Sequence, residues 1–332
     1  MCWPVFIIFA FQFTKQLNIY YNTDNLNIEK PVATVGIFDG VHKGHKYIIE
    51  KLFEISERMH GSPVIVTLWP HPRHILNNDS SETRLITTFE EKIKILSGLG
   101  VENLIVKDFT PELSQMTACE FIEKVLAGEI GIRHLVMGYN HRFGSDREDD
   151  IGKIRDCAEK FSIAVEKLEQ FIDGEKEISS SEIRNALMEG DVKSAGNMLG
   201  HHFFISGSVV GGSRVGRSIG FPTANITPGH YLKILPRDGV YAVEVEAGDG
   251  RFPGMLNIGI RPTVNDNPDH KTIEVHIIDF ENDIYGQEIH LHIIERIRDE
   301  MKFSSVQHLK EQLIKDKATV IDIYKKNTRV LN

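Results

Sequence analysis

The sequence predicts two domains of different class on one chain: an α/β domain built on a parallel sheet, then an all-β domain that ends in a helix. Three observations carry this. At 332 residues the chain is longer than one ordinary domain. From about Lys30 to Phe171 short β-branched runs alternate with amphipathic helical segments. After about Gly200 period-two strands and glycine turns take over, and only the last stretch, "SSVQHLKEQLIKDKATVIDIYKK", returns to helix.

The elements follow in order. "PVATVGIF" and "PVIVTLW" read as buried strands, brief and bounded by Gly or Pro. Between them Ile48, Ile49, Leu52, Ile55 and Met59 recur at helical spacing, and Gly61 closes the helix. Thr88 with Glu91, and Thr117 with Glu120, are capping-box signatures that start two more helices. "NLIVKDF" and "HLVMGY" add strands, and such alternation implies a parallel sheet covered on both faces. "SSSEIRNALMEGDVKSAGNMLG" reads as a helical link. "FFISGSVVGG", "GVYAVEVEAGDG", "KTIEVHIIDF" and "QEIHLHIIERI" have the texture of an antiparallel barrel or a sandwich. The expected divisions are an apolar N-terminal extension over 1–24, an α/β domain over 25–185, a connector over 186–200 and the all-β domain over 201–332.

Bulk composition narrows the function. Hydrophobic residues make up 41% and charged residues 26%, as in a globular protein with a real core. A net charge of −9 argues against a nucleic-acid binder, but small phosphate ligands need only local positive potential. Cys2, Cys119 and Cys157 are few and far apart, so no disulfide framework or four-cysteine zinc site is expected, and a reducing cytoplasm is the simplest home. "MCWPVFIIFAFQF" is strongly apolar yet shorter than the roughly 20 residues a membrane helix takes, and it lacks the basic start and cleavage site of a secretory signal. No membrane partner is expected.

"ATVGIFDGVHKGHKYIIEKL" sets His42 and His45 where a strand gives way to a helix. Ligands of open parallel sheets bind at such strand ends, glycines let backbone approach closely, and a helix start offers N–H groups to a phosphate. Histidines there could donate to phosphate oxygens. Two histidines alone make an incomplete metal site, and two solvated histidines are the plain alternative. No G-x-x-x-x-G-K-[ST] loop occurs, so any ATP chemistry uses another device.

In the second half, "GSVVGGSRVGRSIGFPTANI" combines a glycine-rich edge, Arg214 and Arg217 with a Thr223–Asn225 pair that points one way on an extended chain. This suits an ion or a phosphate oxygen, or a capped hairpin turn. In "TIEVHIIDF", Ile273, Val275 and Ile277 face one side while Glu274 and His276 face the other, open side. Glu274 is either a general base or a solvated carboxylate. His290 and His292 read as an exposed face.

These motifs together resemble a known family. "GIFDGVHKGH" is similar to the nucleotidyltransferase H-x-G-H signature, and its "FDG" is typical of bacterial bifunctional riboflavin kinase/FMN adenylyltransferases, the FAD synthetases. "TLWPHPRHIL" resembles that family's F-x-P-H-P loop, with Trp69 in an unusual place. "GYNHRFGSDREDD" resembles its flavin-side segment, departing at His141 and Asp149. "ISSSEIR" resembles the second nucleotide motif, with Ser181 in a threonine place. "GRSIGFPTANI", "DGVYAVEV", "LNIGIRPTV", "IEVHIIDFENDIYG" and "ERIRDEMKF" resemble, in order, the riboflavin kinase domain.

The resemblance implies a Rossmann-like nucleotidyltransferase domain, then a riboflavin kinase-like antiparallel barrel with a C-terminal helix. It implies ATP-dependent phosphorylation of riboflavin to FMN, and adenylylation of FMN to FAD with release of pyrophosphate. In the first half, Gly36, Phe38, Asp39, Gly40, Gly44, Ser180, Ser181 and Arg184 would bind ATP phosphates, and His42 and His45 would stabilise developing charge. His71, Pro72, Asn140, Arg142 and Phe143 would line the flavin. In the second half, Gly211, Arg217, Thr223 and Asn225 would bind ATP, and Thr223 and Asn225 would organise Mg²⁺. Glu274 would be the catalytic base, and Arg298 and Glu300 would lie in a segment closing over the flavin. Riboflavin, FMN and ATP are then the partners of a cytoplasmic monomer or weak homo-oligomer.

Overall fold

The computed structural model describes residues 16–21, 23–24, 26–76, 83–142, 144–173, 178–211, 215–260 and 271–330. The chain forms two compact units that interleave in sequence. One comprises Met1–Ile37, Ile48–Asn78 and Ile93–Gln170, the other Phe38–Tyr47, Asp79–Lys92 and Phe171–Asn332.

The first unit is built on a six-stranded sheet of β1 (Asn18–Tyr20), β2 (Pro31–Gly36), β3 (Ser62–Trp69), β4 (Asn103–Asp108), β5 (His134–Met137) and β6 (Ala164–Lys167). Its order is β1-β4-β3-β2-β5-β6 and every pairing is parallel. Pro31–Val35 of β2 are all buried, as the unbroken apolar run of a central parallel strand requires. Helix α1 (Lys43–Arg58) follows β2 and buries Ile49, Leu52 and Ile55. The short α2 (Pro72–Leu76) follows β3, and α3 (Phe89–Gly98) leads to β4. Beyond β4 come α4 (Pro111–Gln115) and α5 (Ala118–Phe121), which runs into a π-helical stretch, Ile122–Ile130; α6 (Ile151–Glu159) precedes β6. Phe121, Ile122, Val125 and Ala158 from these helices pack on Ala33, Val35, Val64 and Val66 of the sheet.

Both capping boxes form. Thr88 and Glu91 exchange backbone and side-chain bonds at 2.9 and 3.2 Å, and Thr117 and Glu120 do the same at the start of α5. Two features differ from the sequence reading. Asn18–Tyr20, within the expected extension, pair with Asn103–Ile105 as the outermost strand. Cys119 and Cys157, whose wide spacing suggests no disulfide framework, are joined by a disulfide with Cα atoms 5.8 Å apart. Packing of α5 against α6 brings together two residues 38 apart, which spacing alone does not reveal.

The second unit is a closed antiparallel barrel, which resolves the choice between barrel and sandwich. Its strands are β7 (Phe204–Val210), β8 (Ala224–Pro228), β9 (Gly239–Ala247), β10 (Gly250–Ile260), β11 (Lys271–Ile277) and β12 (Glu288–Arg298), in the order β10-β11-β8-β7-β12-β9. Alternate residues fill the interior: Val243 and Val245, Leu256 and Ile258, Ile273, Val275 and Ile277, Leu291 and Ile293. Helices α7 (Ser180–Glu189) and α8 (Val192–Leu199) add Ile183, Leu187, Val192, Ala195 and Leu199 to that core. The short α9 (Val215–Ser218) precedes β8, and α10 (Val306–Val330) lies against the barrel through Val320, beside Phe221, Ala242, Met255 and Ile278.

Two faces read as open are covered. His276 is 7% exposed, its Nδ1 lies 2.7 Å from the Pro222 carbonyl oxygen, and its ring meets Phe221 edge-on. His290 and His292 are half-buried against Phe204, and His290 shares a 2.8 Å hydrogen bond with the Ser206 hydroxyl. Strand alternation assigns such residues to the outside of the barrel correctly, but only the tertiary fold adds a second layer there.

Candidate active sites

The loop that leaves β2 is the centre of the first candidate site. Gly36, half-buried, ends the strand. Phe38 and Val41 then adopt left-handed backbone angles of φ 52° and 41°, conformations that cost free energy away from glycine and cluster at functional loops. Gly40 also turns left-handed, at φ +83°, and a Cβ there would come within 2.9 Å of Ile86. The loop is held through Asp39, which is 3% exposed. Its Oδ1 accepts the Ile86 and Thr87 N–H groups at 3.0 Å each, and its Oδ2 accepts Arg184 Nη2 at 2.5 Å. Arg184 Nε donates to the Arg84 carbonyl at 2.7 Å, and the Gly40 N–H donates to Thr87 Oγ1 at 3.0 Å. Ser180, the first residue of α7, donates its hydroxyl to the Asp39 carbonyl at 3.1 Å, while Ser181 stays exposed.

His42 immediately precedes α1, and its Nδ1 accepts the His45 N–H at 3.4 Å, a long N-cap contact. That role leaves the proton of the neutral ring on Nε2, so the free edge of His42 is a donor. The His42 and His45 rings stack at 3.7 Å and 17°. Gly44 makes room for this, since a Cβ there would lie 3.2 Å from the His42 ring. Burial pushes His42 down to about 4, against the raising influence of Asp39 and with a lowering one from Arg184. Burial, then His42, then Lys92 hold His45 well below the usual imidazole range, and its buried Nδ1 has no partner among the described residues. Both rings are therefore neutral donors at pH 7. Around them lie Arg184 and the fully buried Lys92, a local positive environment in an acidic chain. Burial pushes the Lys92 ammonium down to about 8 even though Asp39 raises it. The sequence reading passed over Lys92 because a lysine in the first turn of an amphipathic helix looks solvated.

The flavin-side residues belong to the first unit. His71 is buried just after β3, with its Nδ1 accepting the Arg73 N–H at 3.2 Å, and Pro72 opens α2. Asn140 and Arg142 are exposed in the loop after β5; Phe143 lies outside the described residues. β3 and β5 both flank β2, so these loops leave the same carboxyl edge of the parallel sheet, where open α/β sheets bind ligands.

The second candidate site is on the barrel. Asn225 of β8 and Asn257 of β10 are the two cross-strand partners of Glu274 on β11, so three polar side chains form one row on a face opposite the core. Thr223 is exposed two residues before Asn225, and Gly211 and Arg217 are exposed nearby in sequence. Asn257 Nδ2 donates to Glu300 Oε1 at 3.0 Å, and the Glu300 carboxyl sits against Gly259, where a Cβ would approach it to 1.9 Å. Arg298 is committed elsewhere: its Nη2 lies 2.7 Å from Asp316 Oδ2 on α10, with Nε on the same carboxylate. Asn257 was missed by sequence reasoning, although its alternation with Leu256 and Ile258 marks it as facing outward.

Comparison with known proteins now decides the family. Residues 24–182 match the FAD synthetase family model and residues 199–324 the riboflavin kinase model. The chain is 36% identical over 293 residues to a Bacillus subtilis bifunctional riboflavin kinase/FMN adenylyltransferase, covering 88% of this chain and 92% of that protein. The chain belongs to this bifunctional family. Its enzyme activities are accordingly riboflavin kinase and FMN adenylyltransferase. An Escherichia coli K12 protein of the same description is 35% identical over 312 residues, 93% of this chain and 98% of that one. A crystal structure described as a macrolide-efflux protein from Streptococcus pneumoniae superposes with a TM-score of 0.81 at 30% identity, covering 92% of this chain and 98% of that one. That description names a transport role, whereas both family models and the curated relatives name flavin enzymes. Among the described residues no helix is long and apolar enough to cross a membrane.

Proposed function

We propose that the barrel phosphorylates riboflavin with ATP to give FMN and ADP, and that the first-half motifs then join FMN to AMP from a second ATP, giving FAD and pyrophosphate. The observation that carries the reading is the pairing of Glu274 with Asn225 across β11 and β8. It sets a carboxylate beside an amide, with Thr223 two residues before that amide in the chain.

In the kinase reaction Glu274 accepts the proton of the ribityl 5′-hydroxyl as that oxygen attacks the γ-phosphate, within general-base reach once riboflavin is bound. Thr223 and Asn225 offer oxygen donors, a hard set that suits Mg²⁺ held partly by substrate phosphates, while Glu274 is kept for the proton. When bound, that ion would neutralise phosphate charge. In adenylyl transfer the FMN phosphate oxygen attacks the α-phosphate and pyrophosphate leaves. His42 and His45 donate to oxygens on which charge accumulates, and Arg184, fixed by Asp39, supplies positive charge. His71, Asn140 and Arg142 are proposed to bind the flavin side.

A cytoplasmic setting fits the low cysteine content. The Cys119–Cys157 bridge is the contrary observation, and a thiol count by mass spectrometry on protein purified without oxygen tests it. The function is tested by incubating the protein with riboflavin, ATP and Mg²⁺ and separating products by chromatography. FMN followed by FAD is expected, with FAD alone when FMN is supplied. FMN made from riboflavin, with no FAD from either mixture, would leave only the kinase half of the reading.

A further inference from the structure

The Asp39 loop rests on a short segment, residues 84–87, which supplies the Ile86 and Thr87 N–H groups to Asp39, the Thr87 hydroxyl to Gly40 and the Arg84 carbonyl to Arg184. That segment is itself fixed by the connection between β8 and β9. The Leu85 N–H donates to the Leu232 carbonyl and the Ile234 N–H to the Leu85 carbonyl, both at 2.8 Å, a parallel bridge centred on Leu85 and Lys233. Arg84 Nη1 adds a 2.9 Å bond to the Tyr231 carbonyl.

Lys233 closes the network. Its Nζ donates to the Ile86 carbonyl at 2.7 Å and to Glu91 Oε2 at 2.5 Å, and it lies 4.4 Å from the centroid of the Phe203 ring. Glu91 Oε1 accepts the Ser206 N–H of β7 at 2.8 Å. The Lys233 and Glu91 side chains are 1% and 0% exposed. A buried ion pair is weak evidence of a stabilising role, because apolar residues of similar volume often serve stability as well or better. What an apolar residue could not supply is the bond to Ile86, whose own N–H holds Asp39. Lys233 lies in the riboflavin kinase match, whereas residues 84–91 lie in the FAD synthetase match, and all belong to one compact unit.

We propose that Lys233 is a positioning residue for adenylyl transfer: from the kinase barrel it holds residues 84–87, and through them Asp39, Arg184 and His42, in the geometry that receives the ATP phosphates. This rests on the reading of the Asp39–His42 loop as a phosphate site. None of its contacts described above involves Glu274, Asn225 or Thr223, so riboflavin phosphorylation is independent of it.

The test uses the full chain with Lys233→Met and the double variant Glu91→Met/Lys233→Met, which leaves no orphan charge. Rates of FAD formation from FMN are measured against ATP concentration, and riboflavin kinase rates on the same preparations. Misplacement of a positioned group can cost up to a hundredfold, so the KM for ATP in adenylyl transfer should rise about tenfold or more in both variants. Kinase kcat and KM should stay within about twofold of wild type. If the double variant has the wild-type ATP KM in FAD formation, or loses both activities in parallel, the pair is only structural and the proposal is overturned. Asp39→Asn in the same assay separates the two ideas: unchanged FAD formation there removes the phosphate reading itself, whatever Lys233 does.

Discussion

Arg184 Nη2 and Asp39 Oδ2 lie 2.5 Å apart across 145 residues of sequence, with side chains only 11% and 4% exposed. Removing one partner of such a pair strands the other in a low-dielectric site, which typically costs ~3–5 kcal/mol. Arg184→Met should therefore lower the unfolding free energy in urea by about that amount. The double change Asp39→Asn/Arg184→Met should recover much of it. A single variant as stable as wild type would mean that Asp39 is satisfied by the Ile86 and Thr87 N–H groups alone.

His42→Ala/His45→Ala should nearly abolish FAD formation from FMN and leave riboflavin phosphorylation near normal. Loss of one preorganised donor to developing charge costs roughly a hundred- to a thousandfold in rate. Wild-type FAD turnover in the double variant would end the donor assignment.

Burial also makes these histidines acid-sensitive. His42 and His141 are pushed down to about 4 and His201 to about 3, in each case chiefly by burial. Unfolded, each has an ordinary value near 6.5. Between those values the unfolded chain binds more protons than the folded one, so stability rises with pH. Their contribution is complete above pH ~6.5 and is lost as pH falls toward about 4. Urea unfolding at pH 7, 6 and 5 should show this decline, with a shallower slope for His42→Ala; a slope identical to wild type would contradict the burial argument.

How much of this was legible depended on distance along the chain. The caps at Thr88 and Thr117 and the alternation in β11 are local, and they form as read. Glu274 and Asn225 were each identifiable from the alternation of their strands and the motifs around them. Their pairing is a matter of register, set only when β11 and β8 meet. Glu91 illustrates a subtler loss. Its capping box accounts for it fully in sequence terms, and nothing in that local pattern points to a second partner, Lys233, 142 residues away. Arg298 was read toward the flavin because the motif around it carries no information about Asp316 on α10.

Glu274→Gln should remove riboflavin phosphorylation by about a hundred- to ten-thousandfold, the usual cost of losing a general base. The residue lies opposite the core side chains Ile273 and Val275, so urea stability should be unchanged. FMN supplied directly should still become FAD at the wild-type rate. Normal kinase turnover in this variant would make Glu274 a bystander.

A fragment starting at Gly200 tests how self-sufficient the barrel is. It removes Ile183, Leu187, Val192, Ala195 and Leu199 from the core and strips Lys233 of Glu91 and the Ile86 carbonyl. Near-UV circular dichroism and urea unfolding should show it less cooperative and less stable than a fragment from residue 178. Lys233→Met in the longer fragment should raise stability further, because the ammonium has lost its carboxylate and carbonyl partners there while an apolar side chain can still pack on Phe203. Equal stability of the 200–332 and 178–332 fragments would refute this account.

Strand β1 has a consequence for solution behaviour. Asn18–Tyr20 pair in register with Asn103–Ile105 and occupy backbone groups of β4 that would otherwise be a free margin of the sheet. β4 is apolar at Leu104, Ile105 and Val106, and an unpaired apolar strand is a template for pairing with another molecule. Three residues at the margin of the sheet thus act as a guard against self-association. Shortened forms of the protein that begin after Tyr20 would exchange an intramolecular neighbour for an intermolecular one.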